Sequence, residues 1–211
     1  MQKNQTTKII ATTVGILLAI AGFEHGLFEV FQGNAPTNKL IIQAIGKDMQ
    51  WWIHGSEEAF TLIPNFLITG ICAMCVSLFI IFWSVFRIDK KHGTTVFILL
   101  FILLVLVGGG MGFIPFFIAT WAYATRINKP LKWWKRLFGD NTRKIVAVFW
   151  PYTLTLTIIC WLLALELAVF GYFPGMTDPE SLLSLCWSFL LATFILINLS
   201  FISGFASDVK R

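Results

Sequence analysis

Residues 94–125 read TTVFILLFILLVLVGGGMGFIPFFIATWAYAT, an uncharged run of 32 residues broken near its centre by Gly108-Gly109-Gly110-Met111-Gly112 and then by Pro115. As one straight helix it would be ~48 Å long, whereas a ~30 Å hydrocarbon core crossed at a ~40° tilt takes only about 39 Å of helix. Clustered glycine and proline are also poor material for an unbroken helix. The run is therefore expected to fold as a hairpin of two short arms, each ~21 Å long by helical rise. The turn is assigned to Gly108, Gly109, Gly110 and Gly112.

Charge gives a second argument for the hairpin. Apolar segments long enough to span a bilayer fall at 9–31, 59–86, 145–173 and 182–205. Of the 16 Lys and Arg residues, only Lys39 and Lys47 lie in loops assigned to the outside. If 94–125 crossed once, Arg126, Lys129, Lys132, Lys135, Arg136, Arg143 and Lys144 would all be external, against the positive-inside rule. If it turns back, that loop is internal with Arg87, Lys90 and Lys91, while Asp178 and Glu180 fall outside. Lys210 and Arg211 then end the chain on the inside.

Composition agrees with a membrane protein. The chain is 57% hydrophobic and 13% charged, with mean hydropathy +0.77, against roughly a quarter charged in soluble domains. The formal charge of +5 is gathered on one face, which reads as topology and contact with anionic lipid at the cytoplasmic face, not nucleic-acid binding. Cys72, Cys75, Cys160 and Cys186 all lie in apolar runs and read as inert packing residues, not as a disulfide framework. Apolar character continues past Ala19-Ile20-Ala21 to Phe31, so 9–31 is expected to be an uncleaved first span. The expected fold class is an all-α polytopic bundle in one membrane domain (1–211), with four long transmembrane helices, the central hairpin and both termini cytoplasmic. Its economy of loops suggests a bacterial inner membrane.

In the longest external connection, 39–52 is expected to form an amphipathic surface helix with Trp51 and Trp52 at headgroup level. Lys132-Trp133-Trp134-Lys135-Arg136 suits an interfacial helix on the inner face. A ten-residue stretch from Glu24 to Gly33 aligns without gaps on Glu166 to Gly175, sharing glutamate, two phenylalanines and the final glycine.

The candidate chemistry gathers toward the outer side. Glu24, His25 and Glu29 fall on the last turns of the first span, with His25 and Glu29 on one face at i, i+4. His54, Glu57 and Glu58 are read as opening the second helix, and Glu166 reaches a similar level on the third long span. Charged groups at membrane depth are costly, so they usually face the bundle interior and pair with one another or with a ligand. Glu24, His25, Glu29, His54, Glu57 and Glu166 are therefore the candidate cation- or proton-binding residues. Imidazole and carboxylate ligands from His25, His54, Glu24 and Glu29 also fit a divalent metal ion. The hairpin apex should lie near the depth of Glu24, where carbonyls at the end of its first arm add oxygen ligands.

No nucleophile elbow, P-loop, dinucleotide fingerprint or His-Glu-x-x-His occurs, which argues against a standard enzyme. Three function classes fit: a small transporter or permease handling a cation or proton, a membrane-embedded metal enzyme, and a non-catalytic bundle that assists a partner complex. A protein partner or a second copy of the chain is compatible with each. The structural alternative is an interhelical ion pair with the remaining acids at headgroup level.

Overall fold

A computed structural model describes residues 3–137 and 139–210, without the side chains of Leu137 and Lys210. Arg211, counted above with the inner cations, lies outside the described residues. The elements run α1 (Gln5–Phe31), β1 (Ile41–Gln43), a 3₁₀ turn (Lys47–Met49), β2 (Glu58–Phe60), α2 (Phe66–Phe86) and α3 (Gly93–Leu106). They continue through α4 (Ile114–Ala124), α5 (Lys132–Leu137), α6 (Asp140–Val146), α7 (Trp150–Phe170) and α8 (Pro179–Lys210). Four helical segments, α1, α2, α6 with α7, and α8, are long and apolar enough to cross a membrane, and α3 and α4 are shorter apolar helices. By helix length and composition this is a polytopic membrane protein.

The central run does turn back. At one end Lys3 bonds Asp89 just before α3, and the Asn4 amide donates to the Ile127 carbonyl just after α4. At the other end Gly108 and Gly110 lie against Glu29 and His25 of the same α1 helix. The arms pack face to face through stacked Phe101 and Phe117, whose ring centroids are 5.1 Å apart. Gly108 and Gly110 have φ of +98° and +88°, a backbone shape that residues with a Cβ adopt at a cost.

Non-helical backbone at this depth needs partners within the protein, and β2 with the residues just after it supplies them. Gly108 N donates to Phe60 O at 3.0 Å, Leu62 N to Leu106 O at 2.9 Å, and Met111 N to Glu58 O at 3.3 Å. Thr69 Oγ1 adds a bond to Val107 O at 2.8 Å. The turn is thus stitched to the hairpin β1–β2, in which Ile41 pairs with Phe60 and Gln43 with Glu58.

Those strands correct two expectations. The segment 39–52 is no surface helix: it forms β1 and a single 3₁₀ turn. Nor does a helix begin at 59, because Ala59 sits inside β2 and α2 starts at Phe66. Pro64 precedes that start, and the Asn65 side chain caps it by accepting from Ile68 N at 3.1 Å. Farther on, the expected span 145–173 is a short α6 followed by α7, with Pro151 in the first turn of α7. Proline is tolerated there because that turn's N–H groups have no helical partner.

The bundle is organised around α1, which packs against α2, α4, α7 and α8. Gly15 and Gly22 face Ser84 and Ser77 of α2, and Gly26 lies on the Gly70 carbonyl, so these backbones approach closely. Trp161 of α7, 1% exposed, donates from Nε1 to Leu17 O at 3.2 Å and meets Phe113 and Phe116 edge-on. Leu78 and Phe82 on α2, Leu156 and Leu162 on α7, and Leu191 and Ile195 on α8 point outward. An outward apolar face of this kind suits lipid better than water.

The start of α1 and the last turn of α8 lie at the end away from the glycine turn. Asp208 of α8 accepts from Thr6 N and Thr7 N, each at 2.8 Å, and from Thr7 Oγ1 at 2.6 Å. A carboxylate from another helix thereby caps α1, because the Asn4 side chain is spent on the Arg126 and Lys129 carbonyls at 2.6 and 2.9 Å. Nearby, Asp89 binds Lys3 at 2.8 Å and Lys8 at 3.3 Å. Burial acts to raise the Asp89 carboxyl, yet the hydrogen bonds and charges of the two lysines outweigh it and hold it below 3.8.

Candidate functional site

At the glycine-turn end, His25 and Glu29 occupy one face of α1, as their spacing predicts, and that face meets the turn. His25 is 7% exposed. Its Nε2 lies 2.9 Å from Glu57 Oε2, and its ring stands edge-on to Phe113 with centroids 5.2 Å apart. A Cβ on Gly110 would sit 3.0 Å from His25 Cε1 and Nε2, so the turn passes directly over the imidazole. Among the described residues, Nδ1 of His25 has no hydrogen-bond partner.

Glu29 lies one turn farther along. It is 0% exposed, and neither carboxyl oxygen has a hydrogen-bond partner among the described residues. The carboxyl packs against Gly108, where a Cβ would come 2.5 Å from Oε2 and 2.8 Å from Cδ. Burying a carboxylate without a partner is costly unless a proton or a cation accompanies it. The site is therefore built around a group whose charge no described residue compensates.

Glu57 reaches His25 from the connection between β1 and β2, not from a helix. The expectation that His54, Glu57 and Glu58 open the second helix is thus incorrect. Those residues lie in a turn and in β2, where successive side chains diverge instead of sharing a helical face. Burial acts to raise the Glu57 carboxyl, but the hydrogen bond and charge of His25 prevail and hold it below 4.5. Glu24, His25, Ser56 and Glu57, with Phe28, Ile45 and Ala168 among others, line a pocket of about 20 Å³. That is room for one water molecule. Glu24 is half-buried and feels the charges of His25, Glu57 and Glu166. Glu166 itself is exposed on α7.

His54 is separate from this cluster. Its Nε2 lies 3.1 Å from Glu180 Oε1 at the start of α8, and its ring meets Trp52 edge-on. Trp52 in turn donates to Ala168 O at 3.2 Å and fills the space beside Gly171. The four residues proposed as metal ligands, His25, His54, Glu24 and Glu29, do not converge. Among the described residues no group of three or more His, Cys, Asp or Glu side chains is arranged to hold a metal ion. The divalent-metal reading loses its ligand set because His54 is tied to α8 and Glu29 faces the turn.

Of the four turn glycines, Gly108 and Gly110 need positive φ, and a Cβ on Gly109 would strike Leu104. Gly112 is different. It has no positive φ, and a Cβ there would meet only Glu57 Oε2, 4.0 Å away. It borders a second, larger cleft of about 770 Å³ between the β1–β2 connection, the turn and α8. Glu57 and Ser56 line both spaces, so the His25 pocket and the cleft share a wall.

Sequence reasoning missed Glu180 as the partner of His54, Phe113 as the ring against His25, and Asp208 as the cap of α1. Each acts across long chain separations that no local pattern encodes. No protein-family model, curated protein or solved structure matches this chain.

Proposed function

We propose that the protein is a small proton-coupled carrier of a bacterial plasma membrane, with its proton site in the outer half. The observation that carries the reading is Glu29: wholly buried, unpaired on both oxygens among the described residues, and one helical turn from the His25–Glu57 pair. Buried ionisable groups in transmembrane helices commonly mark proton or ion pathways. The positive-inside rule sets the orientation, with the turn and its acids outside and both termini in the cytosol. α5 then rests on anionic headgroups through Lys132, Lys135 and Arg136, with Trp133 exposed at the interface.

In this reading Glu57, open to the cleft, takes a proton from the external side and passes it to His25 Nε2. The imidazole can exchange a second proton through Nδ1 with Glu29, one turn nearer the outer end of α1, so Glu29 is the buried proton store and His25 the innermost group of the relay. Histidine suits such relays because either ring nitrogen can donate or accept. Inward of His25 the bundle is closed by Leu104, Leu18, Phe97 and Ile10, each at most 1% exposed, so passage needs a second arrangement of the hairpin against α1.

The test is proton flux in proteoliposomes with a pH dye in the lumen, driven by an imposed pH difference and a potassium diffusion potential. Wild type should dissipate the gradient faster than empty liposomes. Glu29→Gln and His25→Ala should each lower that rate at least about tenfold, the effect expected of a lost proton-transfer group. A folded Glu29→Gln protein that conducts like wild type would remove the proposal.

A further inference from the structure

The larger cleft has a composition and shape that the proton reading does not use. At about 770 Å³ it falls within the ~300–1,000 Å³ range of small-molecule sites. One wall is α8 from Leu183 to Phe194, a length of ~17 Å by helical rise, and it is apolar throughout that stretch of the lining. Trp187 and Leu191 on this wall are 65% and 62% exposed, so the cleft opens sideways toward the surroundings of the bundle. One end of it is polar, formed by Ser56, Glu57, Glu58 and His54.

Two further features define the occupant. Gly112 is the one turn glycine that neither positive φ nor crowding demands, and a side chain there would project beside Glu57 into the mouth of the cleft. The mouth is acidic: Glu58 is exposed, Glu57 faces inward beside it, and Glu180 sits on His54. Among the described residues no Lys or Arg lines the cleft. A hydrocarbon wall leading to an acidic end is complementary to a chain that carries a cationic, hydrogen-bond-donating head.

We propose that this cleft binds one ethanolamine-headed lipid, its acyl chain along α8, its ammonium group against Glu58 and Glu57, and its phosphate turned to the open side of the cleft, away from those acids. The site goes beyond the proton reading and stands without it. Gly112 keeps the entrance open, and the acids select the head group.

The probe is a pair of lysolipids with the same oleoyl chain, one with an ethanolamine head and one with a glycerol head. Each is added to the full-length protein in detergent, and retained lipid is counted by native mass spectrometry. Wild type should retain the ethanolamine lipid about fivefold over the glycerol lipid, the ratio one exposed ion pair supplies. Glu58→Gln should bring that ratio near one while chain binding persists. Gly112→Trp should abolish retention of both. Equal retention of the two heads by wild type overturns the proposal, as does wild-type retention by Gly112→Trp. Lipid counting needs no flux, so a negative result here and a negative liposome result are read separately.

Discussion

Replacing Gly108 by alanine loads one position in two independent ways. The backbone there has φ of +98°, and holding an L-residue in so unfavourable a region costs ~1–3 kcal/mol. The added methyl also lands on Glu29, 2.5 Å from Oε2 and 2.8 Å from Cδ, well inside the ~3.5–4.0 Å of ordinary contact. Glu29 is 0% exposed, so overpacking against it adds ~1–3 kcal/mol. The sum, ~2–6 kcal/mol, should lower the melting temperature by on the order of 10 °C for a chain of this length. Tryptophan fluorescence during thermal unfolding in detergent reads it directly. Combining Gly108→Ala with Glu29→Ala should leave only the backbone part, ~1–3 kcal/mol for the glycine change. Gly112→Ala, with neither load, should stay within ~0.5 kcal/mol of wild type. If Gly108→Ala costs no more than Gly112→Ala, or its cost is indifferent to Glu29→Ala, the described packing of turn on carboxyl is wrong.

Asp208→Ala removes three buried hydrogen bonds at the start of α1 and should destabilise by ~2–4 kcal/mol, seen as a lower melting temperature with fraying of α1 in hydrogen exchange. Because Asp89 is held below 3.8, its stabilising effect is complete above that pH and disappears as pH falls through the lower folded value. Asp89→Asn should flatten that acid limb of the stability curve. The same sign applies to Glu57, held below 4.5, so Glu57→Gln should remove a second acid-sensitive component. His54→Ala breaks a pair whose Glu180 side chain is 75% exposed and should cost no more than ~1 kcal/mol by the same melting assay.

The hairpin was legible because length, glycine content and loop charge in and around 94–125 all point one way. The shared face of His25 and Glu29 was legible because helical periodicity dictates it. What escaped was everything decided by pairing across the sequence. Residues 58–60 look like the start of an apolar span, yet the glycine turn needs backbone partners, and a strand satisfies them where a helix would not. That need pulled Glu57 off any helix and onto His25. His54, two residues before Ser56, went instead to Glu180, which dissolved the expected metal ligand set. Gly112 looks identical to its neighbours in sequence, and only the space around it separates a glycine of the turn from a glycine of the cleft.

Thiol labelling in intact cells tests the arrangement most directly, in a protein whose Cys72, Cys75, Cys160 and Cys186 have been replaced by alanine. Gly112→Cys, beside Glu57 at the mouth of the cleft, should react with a membrane-impermeant maleimide added outside. Lys135→Cys, in the cationic loop after the hairpin, should react only once the membrane is permeabilised. Labelling of position 135 from the external medium, or protection of position 112 until permeabilisation, would contradict an outward-facing site carried by a hairpin that returns to the cytosol.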